Sequence, residues 1–492
     1  MPGIHIENFG CRAARADGEA IGSHLRALSE SSRATIAAEA SAADLVIVNT
    51  CSVTAEADRV ARAYIRRVHR RNPSAKIVVT GCYAQRAPEE LAAMPGVKAV
   101  IGNSHKALAP QIALGLLEPA GTHAAAGALV RISQAATPGI AEHNAPAAHA
   151  AAARPHVTAA QAASAQVVWA DDRFAHSFLE EARPAPGGQT RPNLKIQEGC
   201  SNRCTFCVIP QTRGPSKSLP RAAVLRQVEA FVASGGKELV LSGINLGRWG
   251  LDFSSGFGRE SLARLVRAIL EQTELQRLRL SSIEPMDWND ELISLMGEFG
   301  GARLARHAHL PLQSGCDTVL RRMHRRYRPW HYADKVSALR CAVGLDLTLG
   351  ADVMVGFPGE TDGEFAETLA FLRAQSFGYL HLFPFSPRPG TPGWALHASS
   401  PVAAQLVDER MMALRTLDAE MTRAYRARFI GRELPAITLH TPAALAAQGR
   451  TAALTDNFLP VELEGLFPAN QLVAVQVMGL ACDGALAALP PE

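Results

Sequence analysis

The chain has 492 residues, 47% of them hydrophobic and 20% charged, with a formal net charge of +4. That length allows about three domains of roughly 150 residues, each with its own core, and the mild positive charge permits an RNA partner without demanding one. The longest apolar runs are strand-sized, far short of the roughly 18 residues that span a bilayer, and nine cysteines, an odd number, make a poor disulfide framework. With no secretory pattern in MPGIHIENFG, a cytoplasmic protein is expected, its thiols structural, metal-binding or nucleophilic.

In chain order, residues 1–118 alternate strand and helix. "ADLVIVNT" and "AKIVVTGC" are short apolar runs ending on small or polar residues, followed by the helical stretches "EADRVARAYIRRVHRR" and "APEELAAM". This predicts a small α/β domain with a mainly parallel sheet, whose ligands gather beyond the carboxyl ends of the strands. Residues 119–191 are rich in Ala, Pro, Gly and His, and are expected to be a poorly ordered linker or insertion. His123, His143, His149 and His156 fall there and read as compositional scatter rather than a metal site. Across 192–422 the alternation returns: "NLKIQ", "ELVLSG", "RLRLSSIE", "RHAHLPL", "DLTLGADVMV" and "YLHLFPF" are six strand candidates separated by helices. They predict a partial (β/α)6 barrel with its site at the carboxyl ends of the strands. In 423–492, "AITLHT", "FLPVELEG" and "LVAVQVMG" predict a small C-terminal β-barrel. The fold class is therefore α/β, in three domains.

Cys200, Cys204 and Cys207 lie within eight residues of "EGCSNRCTFCVIPQTRG", just past the first barrel strand. A structural zinc site usually has four ligands, often as two CxxC pairs, and no second pair exists here. Three thiolates on a 4Fe-4S cluster leave one iron open. The CxxxCxxC spacing, with Phe206 before the last cysteine, is the signature of radical S-adenosylmethionine (SAM) enzymes. In these the open iron binds SAM, and an electron from the cluster releases a 5′-deoxyadenosyl radical that abstracts hydrogen from unactivated C–H bonds. Cys51 and Cys82 each follow a strand of the first sheet, and Cys11 follows a short N-terminal strand. The three are expected to meet at one sheet edge as a second three-thiol site; the competing reading is cysteine as a small core residue.

Taken in order, "NTCSVTAEADRVAR", "GCYAQ", "LKIQEGCSNRCTFCVIPQTRG", "HLPLQSGCDTVLRRMHRRY", "ADVMVGFPGETDGEF" and "FPFSPRPGTP" resemble the radical SAM methylthiotransferase family over residues 4–118 and 192 to about 400. The resemblance implies a second 4Fe-4S cluster on Cys11, Cys51 and Cys82 that carries the sulfur. A second SAM supplies the methyl group, so that C–S–CH3 replaces C–H. It also implies a reductant protein such as a flavodoxin or ferredoxin and a TRAM-like C-terminal barrel, and it leaves the sulfur donor unspecified. The family's branches act on isopentenyl-modified adenosine in tRNA, on an aspartate of a ribosomal protein, or on N6-threonylcarbamoyladenosine in tRNA next to the anticodon. The chain is most similar to the third, through the Val-Thr after Cys51 and the Arg-Gly-Pro of "TRGPSKS". The other two substrates are the alternatives, and a non-catalytic zinc-stabilised RNA-binding protein is a remote one.

By the same resemblance, SAM is expected to touch Gly243 in "LSGINLG", Glu284 in "SSIEP", and Gly356 and Gly359 in "VMVGFPGE"; for the glycines, tight turns are the competing reading. Arg213 and Arg388 are candidates to neutralise a carboxylate or phosphate, or else lie on a solvated surface. The chain departs from the family at Ala14-Arg15, where Asn-Gln is usual, and at Cys316, which is read as a structural thiol; Cys341 and Cys482 are read as ordinary. For tRNA, the helix after Cys51 carries Arg59, Arg62, Arg66, Arg67, Arg70 and Arg71, and "RRMHRRYRP" at 321–329 is a second basic run. Both suit phosphate contacts, with solvated helix faces the competing reading, and the target base has to be exposed in a loop. From 440 onward the one arginine, Arg450, stands against five acidic residues, so any RNA role there is expected of the lead-in "RAYRARFIGR".

Overall fold

The computed structural model describes residues 2–32, 35–37, 39–117, 167–174, 176–177, 190–253 and 260–490. The four histidines of the alanine-rich tract, and the disorder expected of most of it, lie outside the described residues.

The first unit is one parallel sheet in the order β2-β1-β3-β4-β5-β6: β1 Gly3–Asn8, β2 Thr35–Ile36, β3 Leu45–Thr50, β4 Lys76–Gly81, β5 Val97–Gly102 and β6 Val167–Trp169. β3 and β4 are almost wholly apolar because both faces are covered, as parallel sheets require. Val46, Val48, Ile77 and Val79 enter one core, and Leu45, Ile47 and Val78 enter the other. Three helices of this unit carry or flank cysteines: α1 Arg12–Ser32, α2 Ala55–Arg71 and α3 Cys82–Arg86. Thr54 caps α2 by accepting from the Ala57 amide at 3.2 Å, which gives the Val-Thr after Cys51 a local structural reason. β6 comes from within the alanine-rich tract, where a three-residue "VVW" is too short to read as a strand from sequence.

The second unit holds β7 Asn193–Glu198, the short antiparallel β8 Lys217–Ser218, β9 Glu238–Gly243, β10 Arg277–Leu280, β11 His307–His309, β12 Thr348–Val355 and β13 Tyr379–Pro384. They run as β10-β9-β7-β8 and β11-β12-β13, with a parallel bridge between Leu278 and Leu304 joining the two. Six parallel strands thus form the expected partial barrel. Alternate residues such as Leu239, Leu278, Leu349 and Val353 pack under the helices in one large core. Their neighbours Glu238, Arg279, His309 and Asp352 turn the other way, into the barrel. α1 lies along β7, so the first unit covers a flank of the barrel.

The third unit is a closed barrel of β14 Glu433–Thr438, β15 Arg450–Thr455, β16 Pro460–Glu464, β17 Leu472–Leu480 and β18 Leu486–Leu489, in the order β14-β15-β16-β18-β17. Arg306 grips Asp456 at 2.6 and 3.0 Å, and Arg279 donates to the Thr455 and Asp456 carbonyls at 3.1 and 3.0 Å. The basic lead-in expected to meet RNA is largely used for this docking: Arg426 donates to the Gly484 carbonyl, Arg428 to the Leu345 carbonyl, and Arg432 pairs with Asp346. Among the described residues no helix is long and apolar enough to cross a membrane.

Candidate active site

The first thiol group is built at strand ends. Cys51 follows β3, Cys82 opens α3 directly after β4, and Cys11 precedes α1. Two glycines allow the approach. Gly10 has φ +108°, and a Cβ there would stand 2.9 Å from the Cys51 sulfur; Gly81 has φ +99°, and a Cβ there would stand 2.3 Å from the Thr50 carbonyl oxygen. Only glycine fits such positions. The sulfurs sense one another: burial pushes the Cys51 thiol up to about 12, and the neighbouring Cys82 and Cys11 push the same way. Asn103 Nδ2 donates to Cys82 Sγ at 3.4 Å, and Arg213 Nε donates to it at 3.2 Å. At the departure from the family, Asn49 of β3 donates to the Ala14 carbonyl at 2.5 Å and to Asn8 at 3.1 Å.

The second group occupies one loop. Cys200, Cys204 and Cys207 follow β7, half-buried, and the Cys207 amide donates to the Cys204 carbonyl at 3.1 Å. Burial pushes the Cys207 thiol up to about 12, with Cys204 and Cys200 adding to it. Donors again face the sulfurs: the Asn202 amide (3.4 Å) and Asn245 Nδ2 (3.6 Å) reach Cys200, and Arg325 Nη1 reaches Cys204 at 3.2 Å. Each group therefore has one deeply buried guanidinium against a sulfur, the donor chemistry that anionic thiolates and sulfur-rich clusters need.

Arg213 joins the two units. Its Nη1 donates to Asp17 of α1 at 3.0 Å and to Glu198 of β7 at 2.7 Å. Lys106 pairs with the same carboxylates at 3.1 and 2.6 Å, and Lys195 pairs with both as well. Three cations and two carboxylates are thus buried together, and the surplus positive charge lies at Cys82. Burial opposes the charge of Arg213, yet Cys82, Glu198 and Asp17 hold it well above its ordinary value. Sequence reading missed this network apart from Arg213; its only signal was the polar alternation in "NLKIQEG", where Lys195 and Gln197 interrupt a buried strand. Arg213 is therefore no surface residue. Nor is Arg388, which is buried against Asp58 and Ser52 of the first unit, with Arg86 on the same pair. Asp58 and Glu198 supply carboxylates that these arginines neutralise.

Of the residues expected to touch SAM, Gly243 ends β9, where a Cβ would stand 2.9 Å from Gln197 Cβ. Glu284 takes both its oxygens to Arg325 Nη2, at 2.8 and 2.6 Å, and so sits beside the Cys204 sulfur. Gly356 and Gly359 turn the chain after β12 with φ +73° and +72°. The Gly356 amide donates to Glu360 Oε2 at 2.8 Å, and Val407 fills the space a Cβ would need. Cys316 is buried, with its sulfur 3.1 Å from Thr318 Oγ1, in keeping with a structural thiol.

Inside the barrel, His307, His309, Tyr379 and His381 stack beside Phe458 from the third unit. Asp352 lies 3.4 Å from His309 Nε2 and 3.3 Å from His381 Nδ1. Burial works to raise its carboxyl, yet those two rings hold it below the usual range. The sequence alone singles out none of these residues.

The two basic runs fare differently. In 321–329 every arginine has a carboxylate partner: Arg321 and Arg328 with Asp317, Arg322 with Glu364, Arg325 with Glu284, Arg326 with Asp287. That run is structural cross-linking rather than a phosphate surface. On α2, Arg59 pairs with Glu56 and Arg62 with Glu90. Arg66, Arg70 and Arg71 are exposed, with no acidic partner among the described residues.

A three-thiol loop after the first strand of a six-stranded partial barrel, with sulfur-facing donors, defines a radical SAM enzyme. The radical SAM superfamily model matches residues 194–372, and the model described as uncharacterized protein family UPF0004 matches residues 3–102. The threonylcarbamoyladenosine tRNA methylthiotransferase MtaB of Bacillus subtilis (strain 168) is 33% identical over 86% of this chain and 82% of its own. Its counterpart in Thermotoga maritima is 31% identical over 88% and 86%. The tRNA-2-methylthio-N(6)-dimethylallyladenosine synthase of Cereibacter sphaeroides is 33% identical over 88% and 86%. The chain belongs to the radical SAM methylthiotransferases, in the MtaB branch.

Proposed function

We propose that the enzyme places a methylthio group on C2 of N6-threonylcarbamoyladenosine, next to the anticodon of a tRNA. Cys200, Cys204 and Cys207 would hold the cluster that binds SAM, and Cys11, Cys51 and Cys82 the second 4Fe-4S cluster. When bound, the first cluster with SAM supplies the hydrogen-abstracting 5′-deoxyadenosyl radical, and the second supplies the sulfur. The observation that carries the reading is the Arg213 network, which locks the wall bearing one thiol group to the strand that leads into the other.

Around these groups the chain's own residues have defined tasks. Arg325 holds Glu284 beside Cys204, where its carboxylate can accept from the amino group of SAM. Gly243, Gly356 and Gly359 leave backbone rather than side chain to line the same end of the barrel. Arg66, Arg70 and Arg71 on α2, with no acidic partner among the described residues, offer their cations to phosphates. The substrate assignment follows the MtaB-named relatives, with the dimethylallyl-type relatives marking the alternative. Comparing digested tRNA nucleosides from a deletion strain tests it: methylthio-threonylcarbamoyladenosine should vanish, and an unchanged profile would overturn the tRNA reading. Anaerobic reconstitution should load about eight irons; colourless, zinc-containing protein would overturn the two-cluster reading.

A further inference from the structure

Among the described residues, Arg12 has no counter-ion. It is the first residue of α1, next to Cys11, and its guanidinium carbon lies 5.6 Å from the centre of the Phe458 ring that the third unit sends into the barrel. Asp352, Tyr379 and Arg279 surround it, and burial lowers its pKa. Yet among the described residues no carboxylate comes within ion-pair distance of it. The thiols do not account for it either, because Arg213 is the guanidinium set against Cys82 and Cys11.

The neighbouring cations are engaged. Arg279 donates to Glu238 at 2.8 Å, and Arg191 and Arg277 pair with the same carboxylate at 3.6 and 3.3 Å. Asp352 is flanked by His309 and His381. Among the described residues Arg191, Arg277 and Arg279 thus share Glu238, Asp456 near Arg277 is paired with Arg306, and the half-buried Arg12 is left beyond ion-pair distance of any carboxylate, an arrangement that costs free energy. His309, Asp352 and His381 do have donor atoms within 4.8 Å of one another, the ligand set of a two-histidine, one-carboxylate metal site. A divalent cation there would add to a positive excess, so the electrostatic balance favours an anion.

We propose that Arg12 is the receptor for a carboxylate on the substituent of the target base, over an apolar floor of Tyr379 and Phe458. Asp352, beside it, accepts from N–H or O–H donors of the same substituent. The inference rests on reading the substrate as N6-threonylcarbamoyladenosine, whose side chain carries one carboxylate together with ureido N–H and hydroxyl donors; an isopentenyl group has none of these. Three units meet at this point, through Arg12, Tyr379 and Phe458. The subsite therefore exists only in the assembled chain.

The test uses the full-length reconstituted enzyme and two anticodon stem-loop RNAs that differ only in the threonyl group, a free carboxylate in one and its methylamide in the other. A charge-assisted hydrogen bond of this kind corresponds to roughly a 10- to 100-fold effect. The wild type should bind the carboxylate RNA tighter than the amide RNA by about that factor in fluorescence anisotropy. Arg12→Gln should erase the difference while keeping the visible absorption of both clusters, and Arg12→Lys should restore part of it. Equal binding of the two RNAs by the wild type overturns the proposal without any variant. Discrimination that survives in Arg12→Gln overturns it while leaving the substrate reading intact. Methylthiolation of a dimethylallyl RNA in place of the threonylcarbamoyl RNA overturns the substrate reading, and the proposal with it.

Discussion

The two thiol groups are assembled by opposite routes. Cys200, Cys204 and Cys207 come from one loop after β7, so eight residues of sequence bring them together. Cys11, Cys51 and Cys82 come from three separate strand ends and meet only because β1, β3 and β4 run parallel and adjacent. Both receive a buried arginine on a sulfur: Arg325 is held by one carboxylate, Glu284, within its own unit, and Arg213 by Asp17 and Glu198 from two units. The local group is thus a property of a motif. The distant group is a property of an interface, and it should fail when the interface fails.

The largest effect separates the two groups outright. Cys200→Ala should abolish formation of 5′-deoxyadenosine, whereas Cys51→Ala should keep SAM cleavage and lose the methylthio product; chromatography of the reaction mixture reads both. If Cys200→Ala still cleaves SAM, the division of labour is wrong.

Next comes the interface. Asp17→Asn leaves three buried cations facing one carboxylate and should cost roughly 3–5 kcal/mol, measured by denaturant unfolding. Arg213→Gln leaves two lysines against two carboxylates and should cost less. A reversed order would mean that the charge balance does not hold this contact.

A milder effect lies at Glu19, also on α1. Burial pushes its carboxyl up to about 7, above an ordinary value of 4.5. Folding therefore takes up a proton between those values, and the stability this group contributes is full below about 4.5 and lost as the pH rises through about 7. Glu19→Gln should match the wild type near pH 4.5 and exceed it at pH 8 by on the order of 2 kcal/mol. Thermal melts at the two pH values would show it; a constant offset would not fit.

The smallest effect contrasts the basic runs. Removing Arg66 and Arg70 should weaken tRNA binding evenly across sequences and lower the salt slope by about 2, while removing Arg321 and Arg326 should leave it unchanged. An equal loss from both pairs would show that the carboxylate partners do not silence the second run.

That contrast also marks the limit of reading charge along a chain. "RRMHRRYRP" looks as basic as α2, but Asp317, which pairs with Arg321, sits one turn back on the same helix, and Asp287 and Glu364 reach the run from other turns and helices. β3 and β4 were legible because burial on both faces leaves continuous apolar runs, and Cys51 and Cys82 because each follows such a run. β6 was missed because three residues carry too little pattern. Gly356 was expected to clear space for SAM, and the reason for a glycine that the structure shows is Val407, which stands where a Cβ would be.

Residue order alone was enough to specify the parallel sheets, the three-thiol loop and the placing of Cys11, Cys51 and Cys82 after strands of the first sheet. These follow from periodicity and short-range spacing, which the linear chain preserves. The folded chain was needed to show which arginine faces which sulfur, that Arg213 and Arg388 are internal struts, and that Arg12 lies over Phe458 with no counter-ion among the described residues. Charge compensation acts through space, between residues hundreds of positions apart, and becomes visible only when the chain is folded.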